Sequence, residues 1–310
     1  MRSLMVQMFY KQRADFERQY AERGRQYPLP EGISVREDVF YDEKHQPVHR
    51  LDIYRPKGRE QEMLPVIIDV HGGGLLLGNK EFNRSFCAAL SEAGYVVFSI
   101  EYQLIPDCLF YDQIRNLHMA FSFIKAHLGE YGGDVSRVYA CGDSGDTCLL
   151  TYGVAMQRCT ALAQAAAVKV CDLPVRALGL ISGMFYTNRR DKIGLFLPRY
   201  LYGKNYKKSA YGPYVSPEQE GIINSLPPCF LVTSDCDHLK SYTIDFEKAL
   251  TRHKRPHRLV CFPKDPRLTH AFSVFYPELA ESKEVIRKLI HFFEHTEEDC
   301  IQDNRGGSAQ

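Results

Sequence analysis

The chain lacks a marked excess of either charge. Its 39 lysine and arginine residues stand against 38 aspartate and glutamate residues, which gives a formal net charge of +1 at pH 7. Binding to nucleic acid or to an anionic membrane surface draws on a basic surplus, so the balance argues against both partners. It predicts a small-molecule substrate and leaves the oligomeric state open, a homodimer included.

A long apolar run is also missing near the start of the sequence. Charged Lys11, Arg13 and Asp15 follow the first apolar residues too soon for a secretory signal or a membrane span. The pattern therefore predicts no stable membrane insertion and a cytoplasmic location.

Metal-binding spacings are absent as well. The ten cysteines include no Cys-x-x-Cys pair, and the eleven histidines include no His-Glu-x-x-His pattern. Cysteines scattered through apolar segments are typical of buried free thiols in a reducing compartment. We therefore predict no metal and no cofactor.

Apolar segments of strand length are what the sequence does contain. Residues 35–41 and 48–54 alternate in polarity, which predicts an antiparallel pair at a sheet edge. Continuous apolar runs follow, as in parallel strands that are covered on both faces. The expected fold is α/β, with a mostly parallel eight-stranded sheet flanked by helices. The predicted runs are 66–70, 95–100, 137–141, 177–181, 229–233 and 258–262, and the predicted helices are 4–23, 83–93, 112–127, 148–165, 242–253 and 281–294.

Two glycine-containing turns lie at the ends of predicted strands. His71-Gly72-Gly73-Gly74 follows 66–70, and Gly142-Asp143-Ser144-Gly145 follows 137–141. The second turn is typical of a nucleophile elbow, in which a serine sits on a tight strand-to-helix turn. Ser144 is the predicted nucleophile, and the backbone N–H of Gly145 is one predicted oxyanion donor.

The first turn supplies the other predicted oxyanion donors. Backbone N–H groups approach a substrate oxygen closely where no side chain intervenes, so we assign this role to Gly73 and Gly74 and leave Gly72 open. His71 precedes these donors instead of facing the serine. Its position favours a structural role over that of a catalytic base.

The base and the acid should follow the serine in the chain. His270 lies on a loop after the last predicted strand, whereas His253, His257, His291 and His295 lie on or beside helices. Asp235 and Asp237 both follow the strand 229–233, and either carboxylate could reach the imidazole. Asp237 lies further into the loop, and Asp235 is suited to capping the turn, so Asp237 is favoured.

From about residue 35 to residue 294, these motifs resemble the hormone-sensitive lipase-like carboxylesterases of the α/β-hydrolase superfamily. Residues 101–107, Glu-Tyr-Gln-Leu-Ile-Pro-Asp, are similar to that family's Asp-Tyr-Arg-Leu-Ala-Pro-Glu. Residues 237–240, Asp-His-Leu-Lys, stand in place of its Asp-Pro-Leu-Arg, and this match selects Asp237 over Asp235. The resemblance implies an α/β-hydrolase fold with a small helical cap.

The resemblance also implies the domain layout. Cap segments are expected at 1–33, as N-terminal helices, and at 183–216, as an insertion, with the core at 34–182 and 217–296. Separately, the polar composition of 297–310 predicts a disordered tail. The insertion is rich in tyrosine. The residues alone also allow a surface excursion or a partner-binding surface there.

One residue departs from the family pattern. The family's elbow reads Gly-Asp-Ser-Ala-Gly-Gly, whereas Ser144 is followed here by Gly145, Asp146 and Thr147. A carboxylate in the first helical turn is favourable with the helix dipole, yet it could crowd the elbow or place charge near the oxyanion. The expected consequence is an intact site with slow or narrowly selective turnover.

The predicted function is hydrolysis of carboxylic esters with short to medium acyl chains, through a serine acyl-enzyme. A deacetylase of acylated sugars or metabolites is a specialisation that the sequence does not separate from it. A peptidase is disfavoured because no gating domain is present. The alternative is a weak or inactive ligand-binding member of the same fold, which Asp146 alone supports.

Overall fold

An eight-stranded sheet forms the centre of the fold in the computed structural model, which describes residues 4–23 and 27–296. All of the predicted strands are present, with small shifts at their ends. In chain order they are β1 (Ile33–Phe40), β2 (Arg50–Pro56), β3 (Leu64–Val70), β4 (Val96–Ile100), β5 (Gly133–Asp143), β6 (Val175–Ile181), β7 (Cys229–Ser234) and β8 (His257–Phe262).

The spatial order of the strands is β1-β2-β4-β3-β5-β6-β7-β8. β1 pairs antiparallel with β2, and β2 pairs antiparallel with β4. All remaining neighbours are parallel. The predicted antiparallel edge and the predicted mostly parallel sheet are therefore confirmed.

Helices connect the parallel strands, but one predicted helix was wrong. The segment expected as one helix over 148–165 forms two, which are separated by a turn at residues 156–159. In chain order the helices are α1 (Leu4–Arg23), α2 (Arg84–Glu92), α3 (Phe110–His127), α4 (Asp146–Ala155), α5 (Thr160–Ala165), α6 (Lys192–Phe196), α7 (Pro198–Tyr202), α8 (Glu220–Ile223), α9 (Lys240–Arg252), α10 (Phe272–Phe275) and α11 (Ala280–Glu294).

The central strands are buried on both faces, as their unbroken apolar sequences require. On β3, Val66, Ile68 and Val70 pack into one hydrophobic cluster, whereas Ile67 packs into another on the opposite face. All four side chains are fully buried. The sheet is thus a rigid platform between two apolar layers, and its strand ends are held in fixed register.

That register brings the two glycine turns together. Val70, at the end of β3, pairs with Gly142 near the end of β5. Asp143 in turn pairs with Ile181, at the end of β6. Because the carboxyl ends of parallel strands share one edge of a sheet, the turns after β3 and β5 and the loops after β7 and β8 lie on that edge.

Helix α1 is fixed against the loops that follow β3 and β4. The guanidinium of Arg13 donates to the carbonyl oxygens of Leu76, at 3.0 Å, and Ile105, at 2.8 Å. The ring of Phe9 contacts the ring of Tyr200 edge-on, with centroids 5.1 Å apart. Helix α1 therefore contacts both the loops after β3 and β4 and the segment 183–216.

Two further expectations concern the ends of the chain. The predicted tail at 297–310 lies outside the described residues. Among the described helices, none combines the length with the apolar character that crossing a bilayer demands.

Candidate active site

Ser144 occupies a strained turn between β5 and α4. Its φ of 53° lies in the left-handed region that non-glycine residues rarely adopt. Its N–H donates to the carbonyl of Ile181 at 2.9 Å, and its carbonyl accepts from the N–H of Met184 at 2.8 Å. At Gly142, a Cβ would lie 2.9 Å from Leu150 Cδ1. The turn therefore requires glycine before the serine, as in a nucleophile elbow.

The structure brings the three predicted catalytic residues into one hydrogen-bonded chain. His270 Nε2 lies 2.9 Å from Ser144 Oγ, and His270 Nδ1 lies 2.7 Å from Asp237 Oδ1. With Nδ1–H donated to the carboxylate, Nε2 is the atom free to accept the serine proton. This is the geometry of a serine nucleophile, its base and the acid that orients the base.

Asp237 is buried and held by several donors. The hydroxyl of Thr233 donates to Oδ2 at 3.0 Å, and the N–H of Leu239 donates to Oδ1 at 2.9 Å. Burial opposes the charged form, but the hydrogen bond and charge of His270 outweigh it and lower the pKa of Asp237 to about 2. Asp237 is therefore a fixed carboxylate at neutral pH.

The other candidate acid lies elsewhere. Asp235 is exposed and forms an ion pair with Lys240, with 2.6 Å between Lys240 Nζ and Asp235 Oδ1. Asp237, and not Asp235, is the carboxylate that reaches His270.

The glycine turn after β3 lies directly against the elbow. A Cβ on Gly145 would lie 2.6 Å from Gly74 Cα, and a Cβ on Gly73 would lie 2.1 Å from the carbonyl oxygen of Leu77. Gly73 and Gly74 have φ angles of 137° and 62°. Within the described residues, the N–H groups of Gly73, Gly74 and Gly145 have no hydrogen-bond acceptor. The close approach and these available donors fit an oxyanion hole.

Gly72 has a different role from its two neighbours. Its N–H donates to Asp143 Oδ1 at 2.9 Å, and the same oxygen accepts from Asn83 Nδ2 at 3.0 Å. A Cβ on Gly72 would collide with that carboxylate, at 2.1 Å from Oδ2. Gly72 thus anchors the glycine turn to the elbow and leaves no N–H for a substrate oxygen.

His71 is a buried support of the same turn. Its Nε2 lies 3.4 Å from Glu101 Oε1, and its ring stacks on Tyr102 with centroids 4.6 Å apart. Burial disfavours the imidazolium, but the hydrogen bond and charge of Glu101 raise the pKa of His71 to about 9. These partners agree with the structural role predicted for His71.

Asp146, the departure from the family pattern, is fully buried in the first turn of α4. It accepts a hydrogen bond from the hydroxyl of Tyr102. Burial raises the pKa of Asp146 well above its ordinary value, against the opposing influence of His71. Burial thus favours the protonated form of this carboxyl, which carries no negative charge. Its hydrogen bond also joins α4 to Tyr102, on which His71 rests.

Replacing Gly73 by alanine will lower kcat by about 10² to 10³, the effect of losing one oxyanion donor. The new Cβ would lie 2.1 Å from the carbonyl oxygen of Leu77, so the turn must shift and move the N–H groups of Gly73 and Gly74. Initial rates of ester hydrolysis measure the change, and thermal unfolding checks that the fold is kept.

Asp146→Asn, in the elbow that the glycine turn contacts, is the matched control. An amide has the shape of the carboxyl and still accepts from Tyr102, and the raised pKa of Asp146 favours an uncharged group there, so kcat should change by less than about threefold. Equal losses in the two variants would contradict the placement of the oxyanion donors in the glycine turn after β3. A large loss in Asp146→Asn alone would contradict a protonated Asp146.

Several supporting residues were not found from the sequence. Asp143 anchors Gly72, Tyr102 links Asp146 to His71, and Ser182 Oγ accepts from the N–H of Ala271 at 2.9 Å, beside the base. Asp143 lies in the Gly-Asp-Ser motif and Tyr102 in the 101–107 motif, but neither motif indicated these contacts. His238 was also missed, although its ring lies 4.3 Å from that of His270.

The tyrosine-rich insertion packs on the helices behind the site. Tyr202 and Tyr211 are buried, and the ring of Tyr211 lies 4.8 Å from that of Tyr111 on α3 and 6.1 Å from that of Tyr152 on α4. These rings form part of the main hydrophobic cluster. Tyr202 and Tyr211 therefore stabilise the insertion on the core, whereas Leu195 and Phe196 within it are exposed, so the partner-surface alternative stays open there.

One group of side chains could hold a metal ion. Within the described residues, Asp237, His238 and His270 are the three metal-ligating side chains whose ligand atoms lie within 4.8 Å of one another. Two of them already serve the hydrogen-bonded chain to Ser144. The arrangement by itself completes a nucleophile, a base and an acid from this chain's own residues.

Comparisons with known sequences identify esterases. The family model described as BD-FAE matches residues 51–162, less than half of the chain. A probable isoprenylcysteine α-carbonyl methylesterase from Arabidopsis thaliana is 28% identical over 213 residues, 66% of this chain and 44% of that protein. An acetyl esterase from Salmonella schwarzengrund is 22% identical over 263 residues, 78% of this chain and 74% of that protein. The chain thus spans less than half the length of its plant relative.

Solved structures agree on the fold. Esterase B from Lactobacillus rhamnosis, in a form bound to a C6-C4 SN3 inhibitor, superposes with a TM-score of 0.88 at 21% identity, over 98% of this chain and 100% of that chain. A bacterial heroin esterase superposes with a TM-score of 0.72 at 21% identity, over 92% of this chain and 90% of that chain. The predicted α/β-hydrolase fold is confirmed.

Proposed function

We propose that this α/β-hydrolase, which resembles the hormone-sensitive lipase-like carboxylesterases in its motifs, fold and relatives, hydrolyses carboxylic esters through a covalent acyl-serine intermediate. The observation that carries the proposal is the hydrogen-bonded chain from Asp237 through His270 to Ser144. An unassisted serine hydroxyl is a weak nucleophile at neutral pH, and this chain is the means of activating it.

In the first half of the reaction, Ser144 Oγ attacks the ester carbonyl carbon as its proton passes to His270 Nε2. Asp237 keeps Nδ1–H hydrogen-bonded and stabilises the imidazolium that forms. The tetrahedral intermediate then breaks its bond to the alcohol oxygen, which receives the proton from Nε2. An acyl group remains on Ser144.

In the second half, water replaces the alcohol. His270 Nε2 accepts a proton from water as the water oxygen attacks the acyl carbon, and then returns that proton to Ser144 Oγ. Both tetrahedral intermediates carry a negative oxygen, for which Gly73, Gly74 and Gly145 are the proposed donors. These N–H groups are fixed by the fold and need no reorganisation when charge develops.

Substrates are proposed to be small esters with short to medium acyl chains, with residues 1–33 and 183–216 forming a cap over the site. The contacts of α1 with the loops after β3 and β4 and with Tyr200 support this role. Such a cap limits the length of the acyl chain that fits. The acetyl esterase relative acts on short acyl groups by its name, which supports the same range.

The ligand-binding alternative rests on Asp146 alone. That carboxyl is buried and accepts a hydrogen bond from Tyr102, and burial raises its pKa, which supports the esterase over the alternative. We keep the cytoplasmic location as a proposal, supported by the nine described cysteines, all of which are free thiols. A homodimer stays a prediction for the oligomeric state.

The test is a series of p-nitrophenyl esters from acetate to decanoate, assayed as initial rates with the wild type and with Ser144→Ala. We expect serine-dependent hydrolysis that is fastest between acetate and hexanoate and declines towards decanoate. Hydrolysis that rises steadily to decanoate would contradict the short-chain range. Equal rates for the two proteins on every ester would contradict the proposed activity.

A further inference from the structure

A second histidine lies against the proposed catalytic base. The rings of His238 and His270 have centroids 4.3 Å apart and are tilted by 49°. His238 is exposed, whereas the side chain of His270 is 19% exposed and that of Asp237 is fully buried. The group therefore opens to solvent on the side of His238, and no step of the proposed esterase mechanism uses that residue.

We propose that Asp237, His238 and His270 form a site for a transition-metal ion, zinc above all, whose binding reversibly switches off hydrolysis. The regulatory part of this inference rests on the proposed esterase function. The donor set is two imidazoles and one carboxylate, with ligand atoms within 4.8 Å of one another. Zinc binds such nitrogen and oxygen ligands, whereas magnesium and calcium prefer oxygen ligands alone.

Movement of His238 would complete the coordination. Ligand atoms bound about 2.1 Å from one tetrahedral zinc ion lie about 3.4 Å from each other. In the structure the three ligand atoms lie within 4.8 Å of one another, so some must move closer together. Thr233 and Leu239 hold Asp237 in place. Asp237 in turn holds His270, so neither side chain has much freedom to move. The exposed side chain of His238 can rotate towards them. A water molecule would take the fourth position.

Metal binding would stop the reaction by occupying the base. A zinc ion takes a lone pair of a His270 ring nitrogen. Nδ1 is the nitrogen that faces Asp237, so an ion bound to that carboxylate takes the lone pair of Nδ1 and the ring proton lies on Nε2. A protonated Nε2 cannot accept the proton of Ser144. No covalent bond within the protein forms or breaks, so a chelator that removes the ion restores activity.

Free thiols are the competing zinc ligands. Cys236 precedes Asp237 in the same loop, and Cys261 is an exposed thiol. Zinc binds thiolates strongly, so inhibition by zinc alone would not identify the site. The role of His238 is what separates this proposal from nonspecific thiol binding.

The experiment measures inhibition of p-nitrophenyl butyrate hydrolysis by zinc chloride in a non-chelating buffer. The wild type is compared with His238→Asn, each relative to its own metal-free rate. Loss of one ligand should raise the half-inhibitory zinc concentration at least about tenfold. Excess EDTA should restore the wild-type rate, and magnesium chloride at the same concentrations should have no effect.

Three matched variants test the source of inhibition. Cys236→Ser, Cys261→Ser and His253→Asn, which removes a histidine at the end of α9, should keep the wild-type response to zinc. Equal zinc sensitivity in the wild type and His238→Asn would overturn the proposal. Loss of sensitivity in either cysteine variant with retention in His238→Asn would overturn it as well.

Isothermal titration of zinc into the whole 310-residue chain gives a readout independent of hydrolysis. One binding event should weaken by the same factor in His238→Asn and persist in Ser144→Ala. If the wild type hydrolyses no ester but shows this binding, the esterase proposal fails and the metal site stands. If it hydrolyses esters but binds zinc independently of His238, the metal site fails alone.

Discussion

Replacing Ser144 by alanine will lower kcat for ester hydrolysis by about 10⁴ to 10⁶, the loss that follows removal of an activated serine nucleophile. The substitution removes Oγ, which lies 2.9 Å from His270 Nε2, and with it the atom that would carry the acyl group. Residual hydrolysis would come from the oxyanion donors and water. Initial rates with p-nitrophenyl butyrate measure the effect.

Ser122→Ala is the matched control for this prediction. Ser122 is exposed on α3, and its hydroxyl donates to the carbonyl of His118 in the preceding turn. Its removal should leave kcat within about twofold, since surface changes away from a site have small effects. A Ser144→Ala protein that folds normally and retains a tenth of the wild-type kcat would exclude Ser144 as the nucleophile.

Replacing Asp237 by asparagine will lower kcat by about 10⁴. An amide cannot accept the Nδ1–H hydrogen bond through its nitrogen, and it does not stabilise the imidazolium that forms at His270. The neutral group also favours the wrong imidazole tautomer, with the proton on Nε2. Substrate binding depends little on this contact, so KM should change far less than kcat.

The low pKa of Asp237 predicts a second difference between the wild type and this variant, in how the free energy of unfolding depends on pH. Because the folded pKa is about 2 and the ordinary value is 3.8, the carboxylate stabilises the folded state above pH 4. That contribution, about 2 kcal/mol, is lost as the pH falls from 4 to 2. The wild type should therefore lose more unfolding free energy over this interval than Asp237→Asn does.

Asp235→Asn provides the comparison for Asp237→Asn. Asp235 is in the same loop but faces solvent and Lys240, and an exposed ion pair contributes little to stability. Its replacement should leave kcat within about threefold. If Asp235→Asn were the variant with the large loss, the orienting carboxylate would have been assigned to the wrong residue.

The parts of the site that the sequence predicted are those in which a local motif fixes the backbone. Gly142 precedes Ser144 because a Cβ there would lie 2.9 Å from Leu150 Cδ1, and that requirement is visible in the spacing of the elbow motif. Continuous apolar runs predicted the strands, and parallel pairing then placed the loops of Ser144, Asp237 and His270 on one edge.

The parts that sequence reasoning missed depend on contacts between distant segments or on uniform burial. All ten residues of α4 are buried, so its sequence has no polar stripe to mark where the helix ends, and 148–165 looked continuous. The hydrogen bond from Tyr102 to Asp146 joins residues 44 positions apart. No local pattern indicates that Asp146 would be buried with a raised pKa or that His238 would lie against His270.

The most direct test of the central claim is to label the protein with a fluorophosphonate ester and locate the adduct by peptide mass spectrometry. A serine that is activated by His270 and Asp237 attacks phosphorus as it attacks an ester carbonyl, and the adduct is stable. We predict one equivalent of label on the peptide that contains Ser144, with none on Ser144→Ala. Ester hydrolysis by a protein that labels at another residue, or does not label, would contradict the account.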